Sequence, residues 1–341
     1  MVSVMSNDFS KVIVHEDFNK TIEDIKNGKI SLGELGSGSY QAETDFDLEY
    51  GEYELEGITD LSALTMDSRN GEQLNKKVGL LSGYDESILT FTSLEGVGVL
   101  TSHTIVKIGK SDYLPSSLIS FHFYTRSSKI SGENCTIKSS KNISEAINND
   151  YSLERGMFLI ENVQGSSILF IDGPLIGKNL SYRTVQLSNK LLERNILPIF
   201  IVKNSFSNMV TNKVASLKGI YNSDLHWASI YLNRGQRTNF FLYRDKINKG
   251  LSKFFCYIKP FDKSPQRIEI HPNAYERFKN DMGNIMDLIY YYYLLNGEVK
   301  NQQMRLIAIA EKFARKTIAL FDLKKILEYT GVTPTVNEER F

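Results

Sequence analysis

The chain has 341 residues, 41% of them hydrophobic and 11% aromatic, which is typical of a globular protein and not of a disordered one. Its 40 basic and 40 acidic residues cancel. This argues against a protein that coats nucleic acid indiscriminately, because such proteins carry a basic excess. The two cysteines are too few for a disulfide framework or a thiolate zinc site. With no signal peptide and no apolar stretch of about 20 residues, we expect a cytoplasmic protein without a membrane span.

The chain changes texture at about residue 58. Residues 1–57 are polar and contain an acidic stretch with glycine and serine, so we expect an N-terminal extension or linker with one short helix at 18–30. A domain is expected over 58–335. Its first part holds short β-branched and aromatic segments, among them "ALTMD", "KVGLLSG" and "SILTFTS", which predict consecutive strands of a mostly antiparallel sheet.

A strand–helix–strand unit follows. Residues 166–175, "SSILFIDGPL", predict a buried strand that ends at Asp172. Residues 181–195 predict a helix, and "IFIVKNS" at 199–205 predicts a second buried strand. Because one helix connects these strands within about 35 residues, we expect them to be parallel.

The remainder predicts further strands and then helices. Strand-like segments lie at 239–245, 253–261 and 266–271. Residues 278–297 are apolar nearly all round and predict a buried helix, and 301–331 carry a long apolar helical stripe.

Asp172 is the most informative acid. It stands at the carboxyl end of a predicted parallel strand, where α/β sheets place their sites. The following Gly173–Pro174 turn would leave the carboxylate in a crevice. A role in capping that turn is equally compatible with the pattern, since aspartate is a common turn residue.

Two further acids are weaker candidates. Glu154 adjoins an apolar helical stripe formed by Leu153, Met157 and Ile160, and Glu161 is its rival. For both, a solvated helix face is the alternative. Asp67 ends the short segment "ALTMD" and can equally be a turn aspartate.

Two aspartates and a glutamate from different elements could hold divalent metal ions about 4 Å apart for phosphodiester hydrolysis. Mg²⁺ and Mn²⁺ prefer such oxygen ligands. The sequence shows no histidine pair, cysteine cluster, phosphate-binding glycine loop or nucleophile elbow that would indicate other chemistry.

The segment "ILFIDGPLIGKNLSYRTVQLSNKLLERNILPIFIVKNS" resembles the centre of the NurA nucleases. "RIEIHP" and "RLIAIAEKFAR" are similar to later segments of that family. The resemblance implies an α/β fold with a PIWI-like, RNase H-like mixed sheet flanked by helices, here with an N-terminal extension and C-terminal helices. It also implies a homodimer that degrades DNA with Mn²⁺ or Mg²⁺ and docks on a HerA-type hexameric ATPase, in DNA repair or anti-phage defence.

The resemblance also implies site residues. The family's acid on the first core strand, its helical glutamate and the Asp of Asp-Gly-Pro-Leu correspond to Asp67, Glu154 and Asp172, although Asp67 lacks the glycine that usually follows the first acid. We expect the three carboxylates to converge within about 8 Å, the distance over which they could share metal ions.

Basic residues of the same segment are candidates for DNA contacts. Lys203 would lie near the metal site and contact a phosphate, and Arg183 and Lys178 would line the DNA path. For Lys203, the alternative is a lysine that leaves a buried strand for solvent.

The C-terminal helix departs from the family. Where a Tyr-Pro pair and, eight residues after the Tyr, a histidine are usual, this chain has Gln303, Met304 and Glu311. We expect Glu311 to replace the histidine as a metal ligand, with pairing to Lys312 or Arg315 as the alternative. The departure leaves open a subunit that binds the ATPase and DNA without cleaving. An RNase H-like enzyme acting on RNA is a further alternative.

Overall fold

A computed structural model describes residues 4–7, 10–13, 52–108, 112–127, 137–177, 180–297, 302–329 and 332–335. The helix predicted at 18–30 lies outside these residues. Within them, no helix combines the length and apolar character needed to cross a membrane.

The strands are short at both ends of the described chain and longest in its middle. Their bounds are β1 (Val4–Asn7), β2 (Ser10–Ile13), β3 (Tyr53–Glu56), β4 (Ala63–Thr65), β5 (Leu81–Thr92), β6 (Val97–Ile108), β7 (Tyr113–Thr125), β8 (Ile137–Ser139), β9 (Ile168–Asp172), β10 (Leu197–Val202), β11 (Gln236–Thr238), β12 (Phe241–Asp245), β13 (Ser252–Lys259) and β14 (Gln266–Ile270).

The helices lie mainly in the second half of the chain. Their bounds are α1 (Ser68–Lys77), α2 (Ile143–Asn162), α3 (Ser181–Glu193), α4 (Asp224–Tyr231), α5 (Pro272–Arg277), α6 (Met282–Asn296), α7 (Arg305–Ala319) and α8 (Leu323–Tyr329). A short 3₁₀ helix, Lys279–Asp281, precedes α6.

One large mixed sheet organises the domain, in the order β3-β12-β13-β14-β10-β9-β5-β6-β7-β8, and β11 joins β4 to β13 beside it. Towards its β8 edge, β5, β6 and β7 form an antiparallel meander. Strands β9 and β10 then extend the sheet from β5 in parallel. The predicted mixed α/β sheet is confirmed, and so is the parallel strand–helix–strand unit.

The sheet carries a hydrophobic layer on each face. One layer contains Phe170 and Ile199 of the sheet and the inward side of α6 and α7. The other contains Leu169 and Phe200, covered by α2, α3 and α4. Odd and even residues of one strand enter different layers because successive side chains of a strand point to opposite faces.

Three local predictions differ from the structure. "KVGLLSG" and "SILTFTS" do not form two strands, because β5 runs through the polar residues between them. Within "ALTMD", Ala63–Thr65 form β4, which pairs with β11 and not with the meander of β5, β6 and β7. The predicted C-terminal helix is divided into α7 and α8.

The predicted inner stripe of α2 is also wrong. Leu153 and Met157 are 55% and 57% exposed, whereas Arg155, Phe158 and Leu159 are buried. The helix is therefore rotated relative to the prediction, because packing Phe158 and Leu159 against the sheet removes more apolar surface from water.

The close approach of α7 to β5 depends on Gly83. A Cβ atom built on Gly83 would lie 2.6 Å from Leu306 Cβ and 2.7 Å from the Leu306 carbonyl carbon. Backbone atoms cannot move aside as a flexible side chain can, so any larger residue would push α7 away from the sheet.

We therefore expect Gly83→Ala to destabilise the protein by about 1–3 kcal/mol, the usual cost of overpacking a core. The control is Gly79→Ala, since a Cβ there meets nothing within 4 Å. Chemical denaturation of both variants measures the difference. Equal stability of the two would show that α7 moves away without cost.

Candidate functional site

Three neighbouring parallel strands bring polar side chains to one edge of the sheet. Tyr84 pairs with Ile171, so the next residues along β5 and β9, Asp85 and Asp172, lie side by side. The pairing of Ile201 with Asp172 places the end of β10 next to them. Carboxyl ends of parallel strands are where such sheets build their sites.

The turn after Asp172 is fixed by two backbone hydrogen bonds. Gly173 has a φ of +96°, a conformation that favours glycine. Its N–H donates to the Ile201 carbonyl at 3.0 Å, and the Leu175 N–H donates to Glu269 Oε2 at 2.8 Å. The turn therefore holds Asp172 against β10.

Lys203, just after β10, lies among three carboxylates. Its Nζ atom is 2.8 Å from Asp172 Oδ2 and 4.0 Å from Asp85 Oδ2. The third distance, to Glu311 Oε2 on α7, is 3.4 Å. One ammonium thus serves as the shared counterion of three acids.

Glu311 is fixed by further contacts. Gln303 Nε2 donates to Glu311 Oε2 at 2.5 Å. Arg315 Nη2 lies 2.5 Å from Glu311 Oε1. Its neighbours Ile307 and Ala314 are buried, as the apolar stripe predicted. Both expected environments of Glu311 coexist, because its carboxylate faces the other acids and also pairs with Arg315.

These groups line a cavity of about 680 Å³. Its charged lining consists of four carboxylates and three basic groups: Asp85, Glu86, Asp172, Glu311, Lys203, Lys263 and Arg315. Three oxygens in the lining are buried without a hydrogen-bond partner among the described residues, Glu86 Oε2, Gln302 Oε1 and Gln303 Oε1.

Burial and mutual repulsion perturb the two central acids. Burial, and then the charge of Asp172, raises the pKa of Asp85 to about 8. Burial also raises the pKa of Asp172, although Lys203 opposes that effect. Burial disfavours the charged form of Lys203, but Asp172 and Asp85 outweigh it and raise the pKa of Lys203. The surroundings of Asp85 and Asp172 therefore favour a proton on each acid more strongly than Lys203 opposes it.

A buried group of ion pairs holds the turn that follows Asp172. Glu269 Oε1 accepts from Lys253 Nζ at 2.7 Å and from Arg267 Nε at 2.8 Å, and all three side chains are at most 1% exposed. Since Glu269 also accepts from Leu175, removing one partner would leave a buried charge unpaired and free the turn that carries Asp172.

The donor set fits a divalent cation. Carboxylate and amide oxygens are the ligands that Mg²⁺ and Mn²⁺ prefer, and the unpartnered oxygens of Glu86 and Gln303 are of this kind. In the arrangement held by Lys203, however, no three His, Cys, Asp or Glu side chains of the described residues are grouped closely enough to hold a metal ion.

Asp67 does not join this site. It caps the start of α1, where its Oδ1 accepts from the Arg69 N–H at 2.8 Å, and its own N–H donates to Asp287 on α6. The predicted convergence is therefore wrong for Asp67. The first strand of the meander is β5, which carries Asp85 beside Asp172 and the neighbouring Glu86.

Glu154 lies on the opposite face of the sheet from Asp67, between α2 and the meander. It accepts from Ser120 at 2.7 Å and Thr101 at 3.2 Å, and lies 2.5 Å from His122 Nε2. Burial raises the pKa of Glu154, but interactions with His103, His122 and Ser120 outweigh that effect and lower it. Its predicted convergence with Asp172 is also wrong, because its carboxylate is already fully engaged there. The rival, Glu161, is exposed.

The structure places two of the three basic candidates, and one of these two lies in the cavity. Lys203 lies in the cavity. Arg183 Nη1 donates to the Asn149 carbonyl at 2.7 Å and so joins α3 to α2. Lys178 lies outside the described residues.

The sequence pattern does not identify Asp85 and Glu86, because it predicts a turn between two short strands where the structure has the continuous strand β5. The available signal was the pair of apolar segments on either side, "GLLSGY" and "ILTFT", which together fit one long strand with its acids at the point where β9 ends.

The family profile of the NurA domain matches residues 92–301, more than half of the chain. The chain belongs to the NurA family. The match begins after Asp85 and ends before Gln303, so the roles of Asp85, Gln303 and Glu311 depend on geometry. No curated protein matched the chain.

One solved NurA nuclease has a fold similar to that of this chain. The NurA nuclease from Sulfolobus solfataricus has a TM-score of 0.53 and 11% identity, covering 93% of this chain and 96% of that chain. A NurA bound to dAMP and manganese has a TM-score of 0.41 and 10% identity, covering 76% and 93%. An Argonaute from A. aeolicus has a TM-score of 0.30 and 14% identity, covering 69% and 28%. The predicted RNase H-like class agrees with the antiparallel meander of β5, β6 and β7 and with the parallel strands β9 and β10 beside it.

The raised pKa of Asp85 gives this NurA chain a distinctive pH dependence. The folded state keeps a proton on Asp85 up to a pH of about 8, whereas the ordinary aspartate value is 3.8. Between these values the folded state binds more protons, so stability falls as pH rises. In metal-free buffer we expect Asp85→Asn to exceed wild type in stability by at least about 1 kcal/mol at pH 9, since one pKa unit is worth about 1.4 kcal/mol.

Urea unfolding at pH 5 and pH 9 measures the effect, and the advantage should shrink at pH 5. Asp67→Asn is the matched control, because asparagine caps a helix as well as aspartate does. A difference between Asp85→Asn and wild type that is the same at both pH values would contradict the pKa assignment.

Proposed function

We propose that this NurA-family chain is a metal-dependent DNA nuclease that hydrolyses phosphodiester bonds at DNA ends in the cytoplasm. The observation that carries the proposal is the pair Asp85 and Asp172, which lie side by side on adjacent parallel strands, Asp85 buried and Asp172 partly buried. Two carboxylates so placed, with one shared ammonium, have an excess negative charge that a divalent cation would neutralise.

Asp85 and Asp172 would hold Mn²⁺ or Mg²⁺, and Glu311 would complete the set from α7. A divalent ion in such a site activates water and neutralises charge on the phosphate. Gln303 and Arg315 orient Glu311, and the buried Glu269 keeps the Asp172 turn in place.

Lys203 has two roles in this proposal. Without metal, its ammonium holds the carboxylates together. When the acids take a divalent ion, the ammonium no longer has to compensate them and can pair with a phosphate oxygen of the substrate, a frequent role of lysine. Lys203 would then position the phosphate beside the acids.

A second candidate is a subunit that binds DNA and the ATPase without cleaving. It is favoured by the same lysine, because an ammonium at 2.8 Å from Asp172 satisfies the site without metal, and by Gln303 and Glu311 standing where Tyr and His are usual. Cleavage by the purified chain decides between the two candidates.

We further propose that the chain acts as a homodimer docked on a HerA-like hexameric ATPase, in DNA repair or anti-phage defence. Family membership and the absence of net charge support this, because a neutral nuclease has little electrostatic attraction to DNA of its own. The tyrosine run at 290–293 adds little support for a dimer surface, since Tyr292 and Tyr293 are buried within the chain. Light scattering of the chain, alone and mixed with such an ATPase, measures both assemblies.

We expect Mn²⁺-dependent digestion of labelled linear DNA by wild type, and a loss of at least about 100-fold in Asp85→Asn and Asp172→Asn, as for removal of a principal catalytic group. Asp67→Asn and Glu154→Gln should keep activity within a few-fold, because neither side chain lines the cavity.

Labelled RNA of the same sequence serves as the substrate control. Loss of activity in Asp67→Asn or Glu154→Gln, with Asp85→Asn active, would favour the acids implied by the resemblance. Inactivity of wild type with either metal would favour the non-cleaving subunit.

Lys203→Met should lower the melting temperature of the metal-free protein, because three carboxylates lose their counterion. It should also increase the stabilisation gained on adding Mn²⁺, since the ammonium no longer competes with the ion. Thermal unfolding with and without Mn²⁺ measures both. Lys138→Met removes a lysine 2.8 Å from Asp150 and outside the cavity, and should leave the Mn²⁺ effect unchanged. An equal Mn²⁺ effect in wild type and Lys203→Met would refute the competition.

A further inference from the structure

A second cavity, of about 780 Å³, adjoins the carboxylate cavity. Three residues line both, Asn204, Lys263 and Ser264. They come from the loop after β10 and from the turn between β13 and β14. The two cavities therefore form one continuous surface, with Asp172 and Lys203 at one end.

Phe206 presents an aromatic ring to the second cavity. Its side chain is 45% exposed, while its neighbours Ser205 and Ser207 are buried. Single exposed apolar residues are common on protein surfaces, so exposure alone carries little weight. The position of this ring on a fixed backbone beside a candidate nuclease site is more specific.

The backbone around Phe206 is anchored on both sides. Arg267 Nη1, itself fully buried, donates to Ser205 Oγ at 2.7 Å and to Ser207 Oγ at 2.8 Å. Further along the loop, Asp224 accepts from the Thr211 N–H at 2.8 Å. Because the loop is ordered before any ligand arrives, little conformational entropy is lost on binding.

The rest of this cavity suits a base better than a phosphate backbone. Its polar lining is mostly amide and hydroxyl, including Asn204, Asn222 and Ser229. Lys259 also lines it, but its ammonium is engaged by the Ser229 and Leu232 carbonyls at 2.7 and 3.0 Å. An aromatic ring with neighbouring hydrogen-bonding groups is the usual way in which proteins bind unpaired bases.

A short distance along the chain separates the lysine of the first cavity from the aromatic ring of the second. Phe206 is three residues after Lys203, so their Cα atoms are at most about 11 Å apart. We propose that Phe206 and the second cavity bind an unpaired base of the nucleic-acid strand whose phosphate lies at Asp85 and Asp172. This inference rests on the proposed nuclease function and names its substrate form, a single strand or a frayed duplex end.

The experiment compares Phe206→Ala and Phe206→Trp with Phe321→Ala in the full-length chain. Phe321 is a matched control because it is 40% exposed and lines neither cavity. Binding of a fluorescein-labelled oligothymidylate is measured by anisotropy in EDTA, so that no cleavage occurs. Oligonucleotides with single 2-aminopurine substitutions report stacking through quenching of their fluorescence.

We expect Phe206→Ala to weaken oligothymidylate binding at least about five-fold, the lower end of what one stacked base contributes, and to abolish 2-aminopurine quenching at one position. Phe206→Trp should restore both, and Phe321→Ala should behave as wild type. With Mn²⁺, Phe206→Ala should raise the KM for single-stranded DNA more than it lowers kcat.

Equal binding by Phe206→Ala, Phe321→Ala and wild type, with active cleavage, would overturn the base site and leave the nuclease proposal standing. Specific loss of binding in Phe206→Ala, with no cleavage by any variant, would sink the nuclease proposal and support a strand-binding role for the same cavity. Unfolding curves of all variants show whether any loss reflects misfolding.

Discussion

The repulsion between Asp85 and Asp172 is the constraint on which the rest of the site depends. Two buried carboxylates on adjacent parallel strands are costly unless a cation compensates them. Here Lys203 supplies one positive charge, and burial together with the charge of Asp172 still raises the pKa of Asp85. The arrangement is therefore stable with a proton or with a more highly charged cation, and it connects metal binding to the position of a lysine.

The surroundings keep these charges close together. The ion-pair group of Lys253, Arg267 and Glu269 is buried beneath the turn, and Glu269 accepts from Leu175. Arg267 extends the same network to Ser205. A single buried unit thus fixes both the turn that carries Asp172 and the loop that follows Lys203, so that a change in one cavity is structurally linked to the other.

The C-terminal helix completes the cavity with residues that differ from the family pattern. Gly83 allows α7 to approach β5 closely, which brings Glu311 within 3.4 Å of Lys203. A carboxylate and an amide at these positions bring a negative charge and carbonyl-type oxygens, whereas an imidazole and a phenol bring no negative charge at pH 7. Oxygen ligands of this kind are the ones that hard divalent ions prefer, and the added negative charge makes the counterion role of Lys203 more important.

The sequence by itself determined the parallel strand–helix–strand unit, the position of Asp172 at its end and the apolar stripe that turns Glu311 inward, because these features depend on local periodicity and turn residues. Only the tertiary structure decided which acids meet. Asp85 lies within the long strand β5, where the sequence pattern predicts a turn. Asp67 caps a helix, and Glu154 binds Ser120 and His122, so neither joins Asp172. Strand pairing and helix rotation are set by packing between segments that are distant in sequence, so local sequence patterns do not determine them.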